Sequence, residues 1–177
     1  LSALGGKTIG VVTVSNAVEI SGSAAEVTAA LVTEDTLVVA ATANVTVNDA
    51  AGVVLEASAL SALGGKTIGL VTVSNAVEIS GSAEEVTAAL VTEDTLVVAL
   101  TADVIVTDPI GVDAVNAIAA KTAGVVTATL EPGDLASFFG LEETGNAYTI
   151  TVNDEAGAGV VLEASALSAL GEKTTAT

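Results

Sequence analysis

Asp49 and Asp154 each follow an asparagine at the end of a β-branched run, as Asn48-Asp49 and Asn153-Asp154, and Asp108 ends another such run. Hard oxygen ligands gathered at strand ends suit calcium, so these positions are the candidates for divalent-cation chemistry. Asn and Asp also cap helices and shape turns. That reading ranks first, and no metal ligand is assigned. The chain has no His and no Cys, which removes the usual nucleophile–base pairs and thiolate metal sites. Ser–Lys remains, with Ser2, Ser61 and Ser168 shortly before Lys7, Lys66 and Lys173. Repetition of the pair argues for architecture, since an active site needs one nucleophile. The expectation is no enzyme, no catalytic or cofactor-binding residue and no cofactor, with calcium the one candidate ion. GGKT at 5–8 and 64–67 ends like a phosphate loop, but the first glycine of that motif is missing and the segment follows a helical pattern. Thr13, Thr46 and Thr151 lack the regular T-x-T ranks of an ice-binding face.

The net charge is −18, with four lysines as the only basic residues. Such a chain is repelled by a phosphate backbone and by anionic lipid. Neither nucleic acid nor membrane insertion is expected, and no apolar run reaches the roughly 18 residues of a span. Acidity keeps a chain that is 51% hydrophobic in solution and leaves cations as ligands. Tyr148, Phe138 and Phe139 are the only aromatic residues. A core of Val, Ala, Leu, Ile and Thr suits thin interiors where small side chains meet in layers. Without an initiator Met or a signal segment, the chain reads as an excerpt or a mature form.

The elements that must position these residues are repeated. Residues 1–47 match 60–106 at an offset of 59 with five differences: Val11/Leu70, Ala25/Glu84, Ala41/Leu100, Asn44/Asp103 and Thr46/Ile105. GVVLEASALSALG at 52–64 recurs at 159–171, and LSALGGKT at 1–8 and 60–67 returns as LSALGEKT at 167–174. Six segments follow, at 8–35, 36–66, 67–94, 95–121, 122–145 and 146–173. Each opens on strand chemistry, as in TIGVVTVSN (8–16), NVTVND (44–49) and TAGVVTATL (122–130). Each then enters an Ala-rich helical pattern, with Val27, Ala30 and Leu31 on one face, then Val112, Val115, Ile118 and Ala119, then Leu135, Phe138 and Phe139. Ser23-x-x-Glu26 and Ser82-x-x-Glu85 have capping-box spacing, and Gly64-Gly65 and Gly171 stand where helices should stop. The predicted fold is a β-rich solenoid of parallel stacked strands, a short helix on each of about six coils, continuous over 1–177. The alternative is tandem β-sandwich domains, for which a 59-residue period is short.

The corners test this assignment. Lys7, Lys66, Lys121 and Lys173 each precede Thr at a segment's end, and the intervening ends carry Glu34-Asp35, Glu93-Asp94 and Glu142-Glu143. Alternating signs would form a ladder that opposes a slip of register, worth about 0–1 kcal/mol per exposed pair.

ISGSAAEVTAAL (20–31) and ISGSAEEVTAAL (79–90), with VTVSNAVEI, ALVTEDTLVVA and VTVND around them, resemble very long repetitive bacterial surface and secreted proteins. They are similar to the cyanobacterial adhesin-like, hemolysin-like and surface-layer versions. The resemblance covers most of the chain and implies an extracellular, structural or adhesive role at the cell surface. The G-G-x-G-x-D runs of the calcium-roll version are missing.

The chain starts and stops at the same phase of its repeat without an evident polar cap. Head-to-tail stacking of subunits is therefore expected, as a non-closing contact that makes a filament, surface layer or stalk. The alternative function is a calcium-dependent adhesion or ligand-binding module of a giant secreted protein. A polysaccharide hydrolase on a β-helix scaffold lacks an aromatic-lined groove.

Overall fold

In the computed structural model, which describes residues 1–33, 38–95, 97–154 and 162–175 (Asp94 through its backbone), the β-branched runs are short strands and the Ala-rich runs are helices between them. The chain runs α1 (Ser2–Gly5), β1 (Val12–Thr13), β2 (Glu19–Gly22), α2 (Ala24–Leu31), β3 (Val38–Val39), β4 (Asn44–Val47), β5 (Val54–Glu56) and α3 (Ala57–Gly64). It continues through β6 (Val71–Val73), β7 (Glu78–Gly81), α4 (Ala83–Leu90), β8 (Val97–Val98), β9 (Asp103–Val106) and α5 (Val112–Ala119). The last elements are β10 (Val126–Thr129), a 3-10 turn (Leu135–Gly140), β11 (Ala147–Thr149) and α6 (Ala164–Gly171).

The strands make three sheets, in the orders β1-β3, β2-β4-β6-β8 and β5-β7-β9-β10-β11, and every pairing among the described residues is parallel. Sandwich domains are built from antiparallel sheets, so the parallel pairing removes that alternative. Neighbouring strands come from successive segments: Ile20 lies opposite Val45, Val45 opposite Val71 and Val71 opposite Val97. Parallel neighbours need a crossover, and the helices supply it. They pack on one another in chain order, α1 through α5, then the 3-10 turn, then α6. The fold is α/β, with parallel sheets and intervening helices.

Small side chains fill the space between strands and helices. Val45, Val47, Leu60, Leu63, Val71, Ile79, Val86, Val104, Val115 and Ile118 are fully buried, each contributing about 1.5–3 kcal/mol of transfer free energy if a large aliphatic. α2 buries Val27, Ala30 and Leu31, as its spacing predicts. Both capping boxes form: Ser23 Oγ accepts from the Glu26 N–H, Ser82 Oγ from the Glu85 N–H, and each glutamate accepts in return from the N–H of its own serine.

Two expectations, on Phe139 and on the segment 36–66, are corrected. Phe139 is 58% exposed while Leu135 and Phe138 are buried, because this stretch is 3-10 and three residues per turn carry Phe139 off their shared face. Gly64 and Gly65 end α3 where the stop was expected, without the left-handed cap that glycine permits, Gly65 having φ −69. Gly64 is needed for closeness instead, since a Cβ there would lie 2.1 Å from the Thr95 carbonyl oxygen. The predicted segment 36–66 holds three strands, β3, β4 and β5, rather than a single strand region. Glu34, Asp35, the Asp94 side chain, residues 36–37 of the predicted segment 36–66 and residues 159–161 of the recurring stretch 159–171 lie outside the described residues. At the last corner Lys173 Nζ donates to the backbone carbonyl of Glu142 at 3.1 Å, a neutral acceptor, so this contact is not the charge pair that the alternating corners predict. Among the described residues no helix is long and apolar enough to cross a membrane.

Candidate functional site

The strand-end carboxylates face helices. Asp49 Oδ2 accepts from the Ala24 N–H at 2.6 Å, Asp108 Oδ1 from the Ala83 N–H at 2.6 Å, and Asp154 Oδ2 from the Leu135 N–H at 3.0 Å. Each donor is the first residue of a helical turn, in the segment before the aspartate. The N-terminal N–H groups of a helix have no partner within it. Ser23, Ser82 and Asp134 cap their own helices, and the next segment's aspartate then satisfies the donor that the local cap leaves. Of the paired asparagines, Asn48 acts through its carbonyl, which accepts alongside that of Asp49 from Asn75 Nδ2, at 3.5 and 2.7 Å. The three aspartates stay separate, and no group of three or more His, Cys, Asp or Glu converges among the described residues. The arrangement ties one segment to the next.

The Lys-Thr turns do the same. Thr67 Oγ1 donates to the Ala43 carbonyl at 2.5 Å and accepts from the Gly69 N–H at 2.9 Å. Thr122 Oγ1 repeats this with the Ala102 carbonyl and the Gly124 N–H, and Thr174 Oγ1 donates to the Tyr148 carbonyl at 2.8 Å. Close approach requires the glycine: a Cβ on Gly69 would stand 2.1 Å from the Ala43 oxygen, and on Gly124, 2.2 Å from the Ala102 oxygen. The first copy of this turn differs. Thr8 Oγ1 accepts from the Gly10 N–H at 2.9 Å, yet a Cβ on Gly10 would meet nothing nearer than its own Thr8 hydroxyl at 3.5 Å.

Burial follows the same division. Leu60 and Leu63 of α3 are 0% exposed, whereas Leu1 and Leu4, their counterparts at offset 59, are 45% and 57% exposed. α6 has the sequence of α3, ASALSALG, but buries only Leu170 where α3 buries Ala57, Leu60, Leu63 and Gly64. A groove of about 730 Å³ lies along β2, α1 and α2, lined by Leu1, Val18, Ile20, Val27 and Ala30. A second, of about 500 Å³, lies between β11 and α6, lined by Tyr148, Ile150, Val152, Leu167 and Leu170. These two open faces were not visible from residue types. The recurrence of LSALG[GE]KT was the signal for them.

Two titratable groups are shifted. The Ser23 backbone N–H, then its hydroxyl, holds the Glu26 carboxyl below the ordinary value. Burial, with the negative charge of Glu143 second, pushes the Tyr148 phenol up to about 12. No protein-family model, curated protein or solved structure matches the chain.

Proposed function

We propose that this chain is an extracellular structural protein, a solenoid of about six coils that assembles head to tail into a filament, surface layer or stalk at the cell surface. The observation that carries the reading is that each segment docks on the next in the same parallel register, Ile20 opposite Val45, Val45 opposite Val71 and Val71 opposite Val97, a contact that a further copy can repeat without closing. The segment-to-segment bonds of Asp49, Asp108, Thr67 and Thr122 support the stacking of coils, and the small-residue core suits thin layers. The role is non-enzymatic.

Electron microscopy of the purified chain, in buffer alone, with calcium and with a chelator, tests this. Uniform filaments under all three conditions are expected. Filaments with calcium alone would transfer the reading to a calcium-dependent adhesion module, and discrete particles throughout would overturn self-assembly.

A further inference from the structure

We propose that the side-chain amide of Asn44 is a site of N-linked glycosylation, taking an oligosaccharide from a polyprenyl-diphosphate donor. The inference rests on the extracellular reading, because a chain meets that chemistry on its way out of a cell. Asn44-Val45-Thr46 is the one Asn-x-Thr/Ser triplet among the seven asparagines of the chain, and that triplet is the acceptor pattern for such transfer. The transferring enzyme needs the amide and the hydroxyl together. In β4 both lie on the outer side, since Val45 and Val47 are buried while Asn44 is exposed and Thr46 half-buried, as the two-residue period of a strand requires.

The second copy of the repeat shows what the fold itself needs at these positions. Asp103 stands in place of Asn44, and Ile105 in place of Thr46. The backbone settings agree: the Asn44 N–H donates to the Val18 carbonyl and the Asp103 N–H to the Val77 carbonyl, each at 2.9 Å. The side-chain settings agree as well, with Asn44 Oδ1 accepting from the Leu70 N–H at 3.0 Å and Asp103 Oδ1 from the Val125 N–H at 2.8 Å. A carboxylate therefore serves the fold as well as an amide does. The Nδ2 group of Asn44 meets no acceptor among the described residues. Thr46 Oγ1 donates to Glu19 Oε1, yet Ile105 holds the matching half-buried place in β9 without a hydroxyl.

With Ala41/Leu100, three of the five differences between the copies fall within residues 41–46. Together they give the first copy the amide, the hydroxyl and a smaller side chain nearby, Leu100 being 64% exposed at the place where Ala41 stands. The surroundings suit a sugar. The Ile68 N–H donates to the Ala41 carbonyl at 2.8 Å, which puts Ile68 and Leu70 beside this stretch of β4, 77% and 44% exposed. A pyranose ring has an apolar face of C–H groups, so the first sugar on Asn44 would cover side chains that are otherwise open to water.

In the transfer, Nδ2 bonds to the anomeric carbon of the oligosaccharide, that carbon's bond to the diphosphate oxygen breaks, and Nδ2 gives up one proton as the polyprenyl diphosphate leaves. The amide must be within reach of an enzyme, so the step precedes the docking of β6 on β4. Afterwards Oδ1 is still an acceptor. The bond from the Leu70 N–H therefore forms on the modified side chain as on the bare one, and the glycan does not oppose the pairing of segments.

The lysines supply the test. Trypsin, cutting after Lys7, Lys66 and Lys121, releases residues 8–66 with the triplet and residues 67–121 as the counterpart without it. In chain recovered from outside the cells that make it, mass spectrometry should find an oligosaccharide on Asn44 in peptide 8–66 and the bare sequence mass for 67–121. Release by a peptide-N-glycosidase in heavy-oxygen water should leave a labelled aspartate at position 44. The melting midpoint should not move, because Asp103 already serves in that setting. Thr46→Val should leave peptide 8–66 bare, with an unchanged circular dichroism spectrum. A bare 8–66 from the external chain overturns the glycan and leaves the extracellular reading standing. A glycan that survives Thr46→Val overturns the assignment to this triplet. Chain found only inside the cells overturns the extracellular reading, and this site with it.

Discussion

Replacing Gly69 by alanine, with Gly10→Ala as its twin, separates sequence from setting. Both glycines stand in the same Thr-Ile-Gly turn. At Gly69 the new methyl would be 2.1 Å from the Ala43 oxygen, 2.6 Å from its carbon and 2.9 Å from Asn44 Oδ1. These are rigid or hydrogen-bonded atoms, so the strands must part. Parting strains three bonds across the junction: Ile68 N–H to the Ala41 carbonyl at 2.8 Å, Thr67 Oγ1 to the Ala43 carbonyl at 2.5 Å, and Leu70 N–H to Asn44 Oδ1 at 3.0 Å. Overpacking costs about 1–3 kcal/mol, and each weakened bond up to about 1 kcal/mol. The expected loss is about 3–5 kcal/mol, or roughly 10 °C in Tm for a chain of this size. At Gly10 the nearest atom lies 3.5 Å away, so alanine there should be neutral or stabilise by up to about 1 kcal/mol through the unfolded chain. Urea titration of the dispersed chain measures both. Equal losses at the two positions, or a loss under about 1 kcal/mol at Gly69, would refute the close-approach argument.

Asp49→Ala and Asp108→Ala should each destabilise by about 1–2 kcal/mol, measured by the same titration, and calcium should not restore the loss if the carboxylates serve the helices. Glu26 has its carboxyl held low by Ser23, so its contribution is complete above the ordinary carboxylate pKa and disappears as pH falls through the depressed value. Glu26→Gln should therefore flatten the acid limb of a plot of stability against pH, and an unchanged limb would count against it. Tyr148 is the only tyrosine, and its phenol is raised to about 12. Tyrosinate absorbance should rise near that pH, and the stability it contributes is whole below about 10, the free phenol value, and is lost above it. A midpoint at the free value would refute the burial of the ring.

Where both partners of an interaction lie within a few residues, the sequence was readable. Ser23 and Glu26 declare their box by spacing alone, and Val27, Ala30 and Leu31 declare their face. The parallel pairing was also legible, because each segment runs from strand to helix and so carries the crossover that parallel neighbours need. What escaped was chemistry between segments. The partner of the Ala24 N–H is Asp49, and no local rule links them. Capping was the leading reading of Asp49, Asp108 and Asp154, and they do accept from helix N-termini, but those of the preceding segment; calcium stood as the alternative because a strand-end carboxylate looks identical whether it faces an ion or a helix. Phe139 was misplaced because α and 3-10 turns share their first three residues and part at the fourth. The octet at 1–8, 60–67 and 167–174 could be seen to repeat, but not to have three different degrees of burial.

The aspartates that complete helices from the following segment also set an order in time. α2 acquires its first-turn partner 25 residues after it has been made, α4 likewise after 25, and the 3-10 turn after 19. A chain emerging N-terminus first from a ribosome therefore leaves the first turns of α2, α4 and the 3-10 turn without this partner until the next segment has followed.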